Sequence, residues 1–390
     1  ARQAWLELNS MRRNSTRSTL ALLHPVFALT GILHAIGGPL LPSFVSTFHL
    51  DDRQSGLIFL LYFAGTTLGA LLCRSSYARA IAIGFAFAAA ICLFVASAAW
   101  PLLMLAFFLL GIGVGVPMTG VSLFVGRAFP QMRASLLTFL NFTWSAGALL
   151  APLLAARILL HHSYRVAYAA LAIASALAAI SCALWLRDAP EPASASSGGN
   201  SLASLHLIVI FGFAAFLEVG VENTSAAWLA TYALRTGHRG AVFAAASTSL
   251  YWAGFLVARG LASLLLLRTR SALVFRFSAA LAVISGATLA LAPSLGLRSV
   301  GMFCLGVGLA PIFPLLLSDF FSLARHTSHS RWVLAAAGFG GSILPWLAGW
   351  VSAATGTIRA GILVIPAATL LMLLMLAMAA PADGLRSPTS

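Results

Sequence analysis

Lysine is missing from this chain: all 23 basic residues are arginine, set against only nine acids. That excludes a lysine Schiff base and any coupling step built on lysine. Cysteine is scarce as well. Cys73, Cys92, Cys182 and Cys304 lie in or at the ends of apolar runs without metal-ligand spacing, so neither a zinc site nor a disulfide framework is expected. Charge as a whole is rare, at 8% of residues. No His/Asp/Glu cluster has metal spacing and no serine has an evident catalytic partner, so an enzyme is not expected and no cofactor is implied.

Apolar residues fill the space those absences leave. Sixty per cent of the chain is hydrophobic and its mean hydropathy is +0.96, which excludes an ordinary soluble domain. About 20 apolar residues suffice to cross a bilayer. Such runs occur near 20–45, 54–73, 80–97, 101–126, 134–157, 165–186, 204–233, 239–267, 272–292, 297–323, 331–355 and 357–380. These runs predict an all-α membrane protein of twelve transmembrane helices joined by short connections. The first span follows a basic segment, as a signal peptide would, but it is too long and lacks an Ala-x-Ala-type cleavage site, so a retained helix is expected.

A net charge of +14 could suggest nucleic acid, but the arginines are distributed otherwise. With the N-terminus in the cytoplasm, about 15 basic residues fall on that side and about 7 outside, as the positive-inside rule requires. Twelve spans then return the C-terminus to the cytoplasm. The expected partners are a lipid bilayer and a small solute, with no nucleic acid, in a monomer of the inner membrane.

The chain reads as a duplication. Residues 187–203 form its one low-complexity linker and divide the spans six and six. Tyr62-Phe63-Ala64-Gly65 recurs as Tyr251-Trp252-Ala253-Gly254, and Leu110-Gly111-Ile112-Gly113 as Leu305-Gly306-Val307-Gly308. Gly147 followed by Pro152 recurs as Gly340 followed by Pro345, the three offsets being about 189, 195 and 193 residues. The expected divisions are a segment 1–19, a bundle 20–186, the linker, a bundle 204–380 and a tail 381–390. Parallel six-helix repeats of this kind describe the major facilitator architecture, whose solute site lies near the bilayer midplane.

The most costly residues lie in the seventh span. Glu218 and Glu222 are one helical turn apart in an apolar run, on one face. A charge at the centre of a membrane helix costs about 2.5–3.5 kcal/mol on insertion scales. Two like charges so close do not both ionise cheaply, so one is expected to keep a proton.

The motifs resemble one branch of this superfamily, the fucose permease-like sugar transporters. Pro39-Leu-Leu-Pro42-x-Phe44 with Gln54-x-Gly56-Leu-Ile is similar to the family's opening pattern. Phe216-Leu-Glu218-Val-Gly220-Val-Glu222, with Trp228 and Tyr232 after it, is similar to its Gly-x-Glu…Trp…Tyr signature. Pro311-Ile-Phe313-Pro314 is similar to its Pro-x-Phe-Pro motif, and Ala258-Arg259 stands where Gly-Arg is common. The likeness covers essentially all twelve spans. Fucose permease carries acids in its first and fourth spans, where this chain has Gly38 and Met118, so the resemblance places any proton coupling on the seventh span.

Each candidate residue has a rival, purely architectural reading. Glu222 is expected to bind substrate hydroxyls, carry a proton, or both; its alternative is a carboxyl fixing helix packing. Glu218 either shares that work or faces a hydrated vestibule. Asn223 and Asn141 either bind sugar hydroxyls or join helices. His34, in a cavity-lining span of this architecture, either shares a proton with the carboxyls or bonds a carbonyl. Trp228, Trp252, Trp144 and Trp346 either stack on a sugar face or fill helix interfaces. Arg259 and Asp319 are expected to form a gating ion pair, the rival being an arginine that binds an anion. The expectation that results is proton-coupled symport of a monosaccharide by alternating access, with sodium left open as coupling ion. A proton-driven efflux antiporter is the alternative, and a non-transporting sensor is the remaining rival.

Overall fold

The computed structural model describes residues 2–73, 76–100, 102–128, 133–187, 205–237, 239–266, 268–323 and 330–379. The expected linker beyond Arg187 and the tail 381–390 lie outside the described residues, as does Arg74. Every regular element among the described residues is a helix. Twelve helical spans are long and apolar enough to cross a membrane. They are Ser18–Phe48, Asp52–Leu72, Tyr77–Ser97, Leu102–Ala128, Leu136–Leu159, Tyr164–Trp185, Leu205–Gly237, Ala241–Ala262, Ser271–Leu291, Leu295–Phe320, Trp332–Thr355 and Ile358–Met378. Large apolar side chains stand outward in stripes at helical spacing. Ile173, Leu177, Ile180 and Leu184 line the sixth span, and Phe277, Ile284 and Leu291 the ninth. Such stripes suit lipid and not water.

Four spans are interrupted, each for a local chemical reason. The first pauses at Ile36 and resumes at Gly37, because Pro39 has no N–H to give to Ala35. The tenth breaks between Leu309 and Ile312, where Pro311 and Pro314 remove two rungs of the ladder. The twelfth pauses at Leu363, three residues before Pro366. No proline breaks the eighth span at Thr248. There the hydroxyls of Ser247, Thr248 and Ser249 donate to the carbonyls of Ala244, Ala245 and Ala246 at 2.8, 2.8 and 2.6 Å, drawing acceptors out of the helix.

The chain forms two compact units. The first comprises Ala1–His49, Leu61–Ser196 and Gly240–Ser249; the second comprises Leu50–Leu60, Ser197–Arg239 and Leu250–Ser390. The sequence division into halves thus differs at two places. The start of the second span belongs to the second unit and the start of the eighth to the first.

The repeats recur as packing. A Cβ added at Gly65 would run into the carbonyl oxygen of Phe108, and one at Gly254 into that of Phe303. Gly111 meets the carbonyl of Tyr62 in the same way, and Gly306 that of Tyr251. Gly147 lies against the carbonyl of Ala28, and Gly340 against that of Phe216. In both units these positions let helix backbones touch, as small residues do at membrane helix interfaces.

Candidate functional site

The seventh span runs as one unbroken helix over Leu205–Gly237, and Phe211–Ala233 is buried almost continuously. It is clamped by the eleventh span. Pro345 cannot donate to Gly341, so that carbonyl loses its helical partner. Asn223 supplies a replacement, its Nδ2 donating to Gly341 O at 3.3 Å. Trp228 Nε1 donates to Pro345 O at 2.8 Å, and its ring is 1% exposed. Asn223 and Trp228 thus bind the backbone of a proline-bent neighbour, the architectural alternative for each. At its far end the seventh span is held by Arg298, whose guanidinium donates to the carbonyls of Ala292, Pro293 and Thr236. Tyr232 donates to the carbonyl of Leu289.

Between those clamps the helix presents its carboxyls. Glu218 is 1% exposed and Glu222 8%. Neither oxygen of Glu218 has a hydrogen-bond partner among the described residues. Burial at that level excludes the hydrated vestibule expected as one reading of Glu218. Arg259, from the eighth span, carries the compensating charge; Glu222, Glu218 and Tyr251 are the groups that act on it electrostatically. Its guanidinium carbon also lies 4.5 Å from the centroid of the Phe255 ring, within cation–π range. Arg259 therefore has a role at the carboxyls beside any at Asp319, which is partly buried at the end of the tenth span.

Tyr251 completes the cluster and was not singled out from the sequence as a site residue. It is fully buried, its hydroxyl has no hydrogen-bond partner among the described residues, and Glu222, Glu218 and Arg259 are its charged neighbours. Its recurrence as the counterpart of Tyr62 was the available signal. Trp252 is buried beside it, ring centroids 5.0 Å apart, and Trp346 is partly exposed on the eleventh span.

The other candidates belong to the first unit. His34 sits in an aromatic box, its ring centroid 5.1 Å from Trp144, 5.2 Å from Phe63 and 6.4 Å from Tyr62. Asn141 is exposed on the fifth span and donates to Leu137 O of its own helix at 2.9 Å.

The second unit thus carries a buried group of two carboxyls, one guanidinium and one phenol. With both carboxyls ionised its formal charge is −1, and a single proton makes it neutral. Among the described residues no group of three His, Cys, Asp or Glu side chains is arranged to hold a metal. Side chains of these kinds are able to exchange a proton and to hydrogen-bond hydroxyl groups.

Known proteins agree with this architecture. The Major Facilitator Superfamily profile matches residues 23–331. A glucose/galactose transporter of Brucella abortus biovar 1 is 26% identical over 367 residues, 86% of this chain and 88% of that protein. The glucose/mannose transporter GlcP of Bacillus subtilis is 22% identical over 355 residues, with the same coverage. Among solved structures, the E. coli fucose:proton symporter FucP superimposes with a TM-score of 0.64 at 20% identity, over 93% of this chain and 98% of that one. The twelve apolar spans, the repeated helix contacts and the profile match all lead to one conclusion: this chain is a multi-pass membrane transporter and belongs to the Major Facilitator Superfamily.

Proposed function

We propose that the protein is a proton-coupled symporter of a monosaccharide, with Glu222 and Glu218 as the proton site. The observation that carries the reading is the Glu218 carboxyl, sealed in the seventh span with both oxygens lacking a hydrogen-bond partner among the described residues. A buried carboxylate needs donors, whereas a buried carboxylic acid needs one acceptor. A protonated carboxyl offers an O–H that a substrate hydroxyl oxygen can accept, and keeps an oxygen that can accept in turn, so proton and substrate can occupy the site together, which is the chemistry symport requires. The glucose/mannose and glucose/galactose transporters among its relatives support a sugar as the donor of those hydroxyls.

The charge count favours a neutral solute. Arg259 already faces two carboxyls, so an anion would meet a cluster whose formal charge is zero or negative. Neutral sugar hydroxyls can accept from the guanidinium and donate to the carboxyls together. Glu222, less deeply buried than Glu218, is the carboxyl that substrate and proton reach first. Asn223, Trp228 and Trp252 support that wall of the site, while Trp144, Trp346, Asn141 and His34 are the further candidates for sugar contact. The arginine asymmetry supports cytoplasmic termini and an inner-membrane location, with transport by rocking of the two halves.

Purified protein in liposomes tests this directly. Radiolabelled glucose, galactose and mannose are offered under an inward proton gradient, under an inward sodium gradient, and under neither. The proposal predicts accumulation of at least one sugar with the proton gradient alone. Accumulation with sodium alone, or of none of the three, contradicts it.

A further inference from the structure

The second span opens on three charged residues in a row, Asp51, Asp52 and Arg53, and both carboxylates are engaged away from the arginine. Asp51 caps the helix: its Oδ1 accepts from Gln54 N at 2.7 Å while Gln54 Oε1 accepts from Asp51 N at 3.0 Å. Asp52 turns to distant partners. Arg235, 183 residues on, donates Nη1 to its Oδ2 at 2.7 Å and Nη2 to its Oδ1 at 2.6 Å. Ser352, from the eleventh span, donates its Oγ to Oδ2 at 2.5 Å. Arg53 has no ion-pair partner among the described residues.

Local structure gives no reason for an arginine here. A cation in the first turn opposes the helix macrodipole, and the side chain is exposed. What it meets is Trp350 of the eleventh span, its guanidinium carbon 6.0 Å from the ring centroid, at the edge of cation–π range. The two helices touch just beneath. A Cβ at Gly56 would lie 3.1 Å from Trp346 Cα, and one at Gly349 would strike the carbonyl oxygen of Asp52. These residues all belong to the second compact unit.

Below the pair, both spans turn apolar side chains outward. Leu57 lies one turn along from Arg53, and Leu347 and Ile343 follow Trp350 at helical spacing; all three are exposed. The seam between the helices thus has a guanidinium and an indole at its head and aliphatic side chains along its length. A phospholipid has the complementary parts in the same order. The planar fork of arginine matches a phosphate, indole settles at the headgroup level, and an acyl chain covers the leucines. A guanidinium that no protein carboxylate neutralises is best matched by a headgroup of net negative charge.

We propose that Arg53 and Trp350 bind the phosphate of an anionic phospholipid whose acyl chain lies along Leu57, Leu347 and Ile343. The inference is independent of the solute and of its coupling ion.

Native mass spectrometry of the purified full chain in detergent, titrated with phosphatidylglycerol or with phosphatidylcholine, provides the test. The unsubstituted protein is expected to bind a first phosphatidylglycerol more tightly than phosphatidylcholine. Arg53→Gln is expected to weaken that binding about fivefold and to abolish the preference, while Arg53→Lys retains it. Trp350→Leu, which keeps the seam apolar, is expected to weaken it about threefold. Arg359→Gln removes another exposed arginine of the same unit and is expected to change nothing. Thermal unfolding in lipid-free detergent is expected to be alike in all of these proteins. Any of five results overturns the proposal: equal binding of the two lipids by the unsubstituted protein; undiminished phosphatidylglycerol binding in Arg53→Gln; an equal loss in Arg359→Gln, which marks bulk charge; displacement by inorganic phosphate, which marks a free-anion site; or earlier lipid-free unfolding of Arg53→Gln, which marks a structural residue.

Discussion

Tyr62 and Tyr251 occupy corresponding places in the second and eighth spans, and both are buried, but their hydroxyls meet different surroundings. Tyr62 donates to the carbonyl of Leu33 at 3.0 Å. Tyr251 has no such acceptor among the described residues and looks instead to Glu222, Glu218 and Arg259. The matching contacts of Gly147 with Ala28 and of Gly340 with Phe216 relate the first span to the seventh at an offset of 188, which pairs His34 with Glu222, since 34 + 188 = 222. One copy of the repeat thus has a histidine and a satisfied phenol where the other has a carboxyl and a phenol with no hydrogen-bond partner among the described residues. The helix contacts through Gly65 and Gly254, or Gly147 and Gly340, are nevertheless the same. The two copies share the scaffold, and the second carries the acidic chemistry.

The scaffold half of that comparison breaks most easily at its glycines. Gly147→Leu and Gly340→Leu each drive a side chain into a neighbouring backbone, and both are expected to cost more than about 4 kcal/mol and to yield little folded protein on size-exclusion chromatography. Gly212→Ala, whose Cβ would meet only Ala336 at 3.6 Å, is expected to be tolerated. Equal tolerance of all three would refute the shared-contact argument.

Next in size is Arg298. Its three carbonyl acceptors have no counterpart in the first half, where Leu103 stands at the offset of 195. Arg298→Ala is expected to cost about 3 kcal/mol, read as earlier thermal unfolding of the detergent-solubilised protein. Leu103→Met is expected to cost less than about 1.5 kcal/mol.

The tyrosines themselves give the sharpest contrast. Tyr62→Phe abandons the Leu33 carbonyl and is expected to cost about 1 kcal/mol of stability with little effect on uptake. Tyr251→Phe removes a hydroxyl that has no partner to lose, so stability is expected to hold while proton-driven uptake falls about tenfold. The reverse pattern would show that Tyr251 is a packing residue. Asn223→Ala removes the amide donor to Gly341 O and is expected to cost about 1 kcal/mol, read as a lower unfolding temperature.

Much of this was legible in the sequence. The twelve spans follow from hydropathy, the duplication from three motifs in register, and the choice of Glu218 and Glu222 as candidates from the cost of charge in hydrocarbon. Less legible was what the polar residues touch. Asn223 and Trp228 read equally well as sugar ligands or helix glue, because the carbonyl that Pro345 frees is known but the helix that faces it is not. Asn141 carried the same ambiguity, and its amide bonds its own helix. Asp52 was hidden by its neighbours: Asp51 and Gln54 account for the start of the second span, and no local pattern points to an arginine 183 residues on. Arg259 was assigned to Asp319 by depth in the membrane, and no pattern in the sequence showed that Glu222 and Glu218 also act on it.

The central claim is that the carboxyls of the second copy couple proton to solute. Glu222→Gln keeps the shape and hydrogen-bonding capacity of the side chain while removing its proton exchange. The deciding measurement compares two modes in the same liposomes, proton-driven glucose accumulation and glucose counterflow without a gradient. The account predicts that the variant loses accumulation about 100-fold while counterflow stays within a few-fold of the unsubstituted protein. Accumulation that survives in Glu222→Gln, with its pH dependence intact, would contradict it.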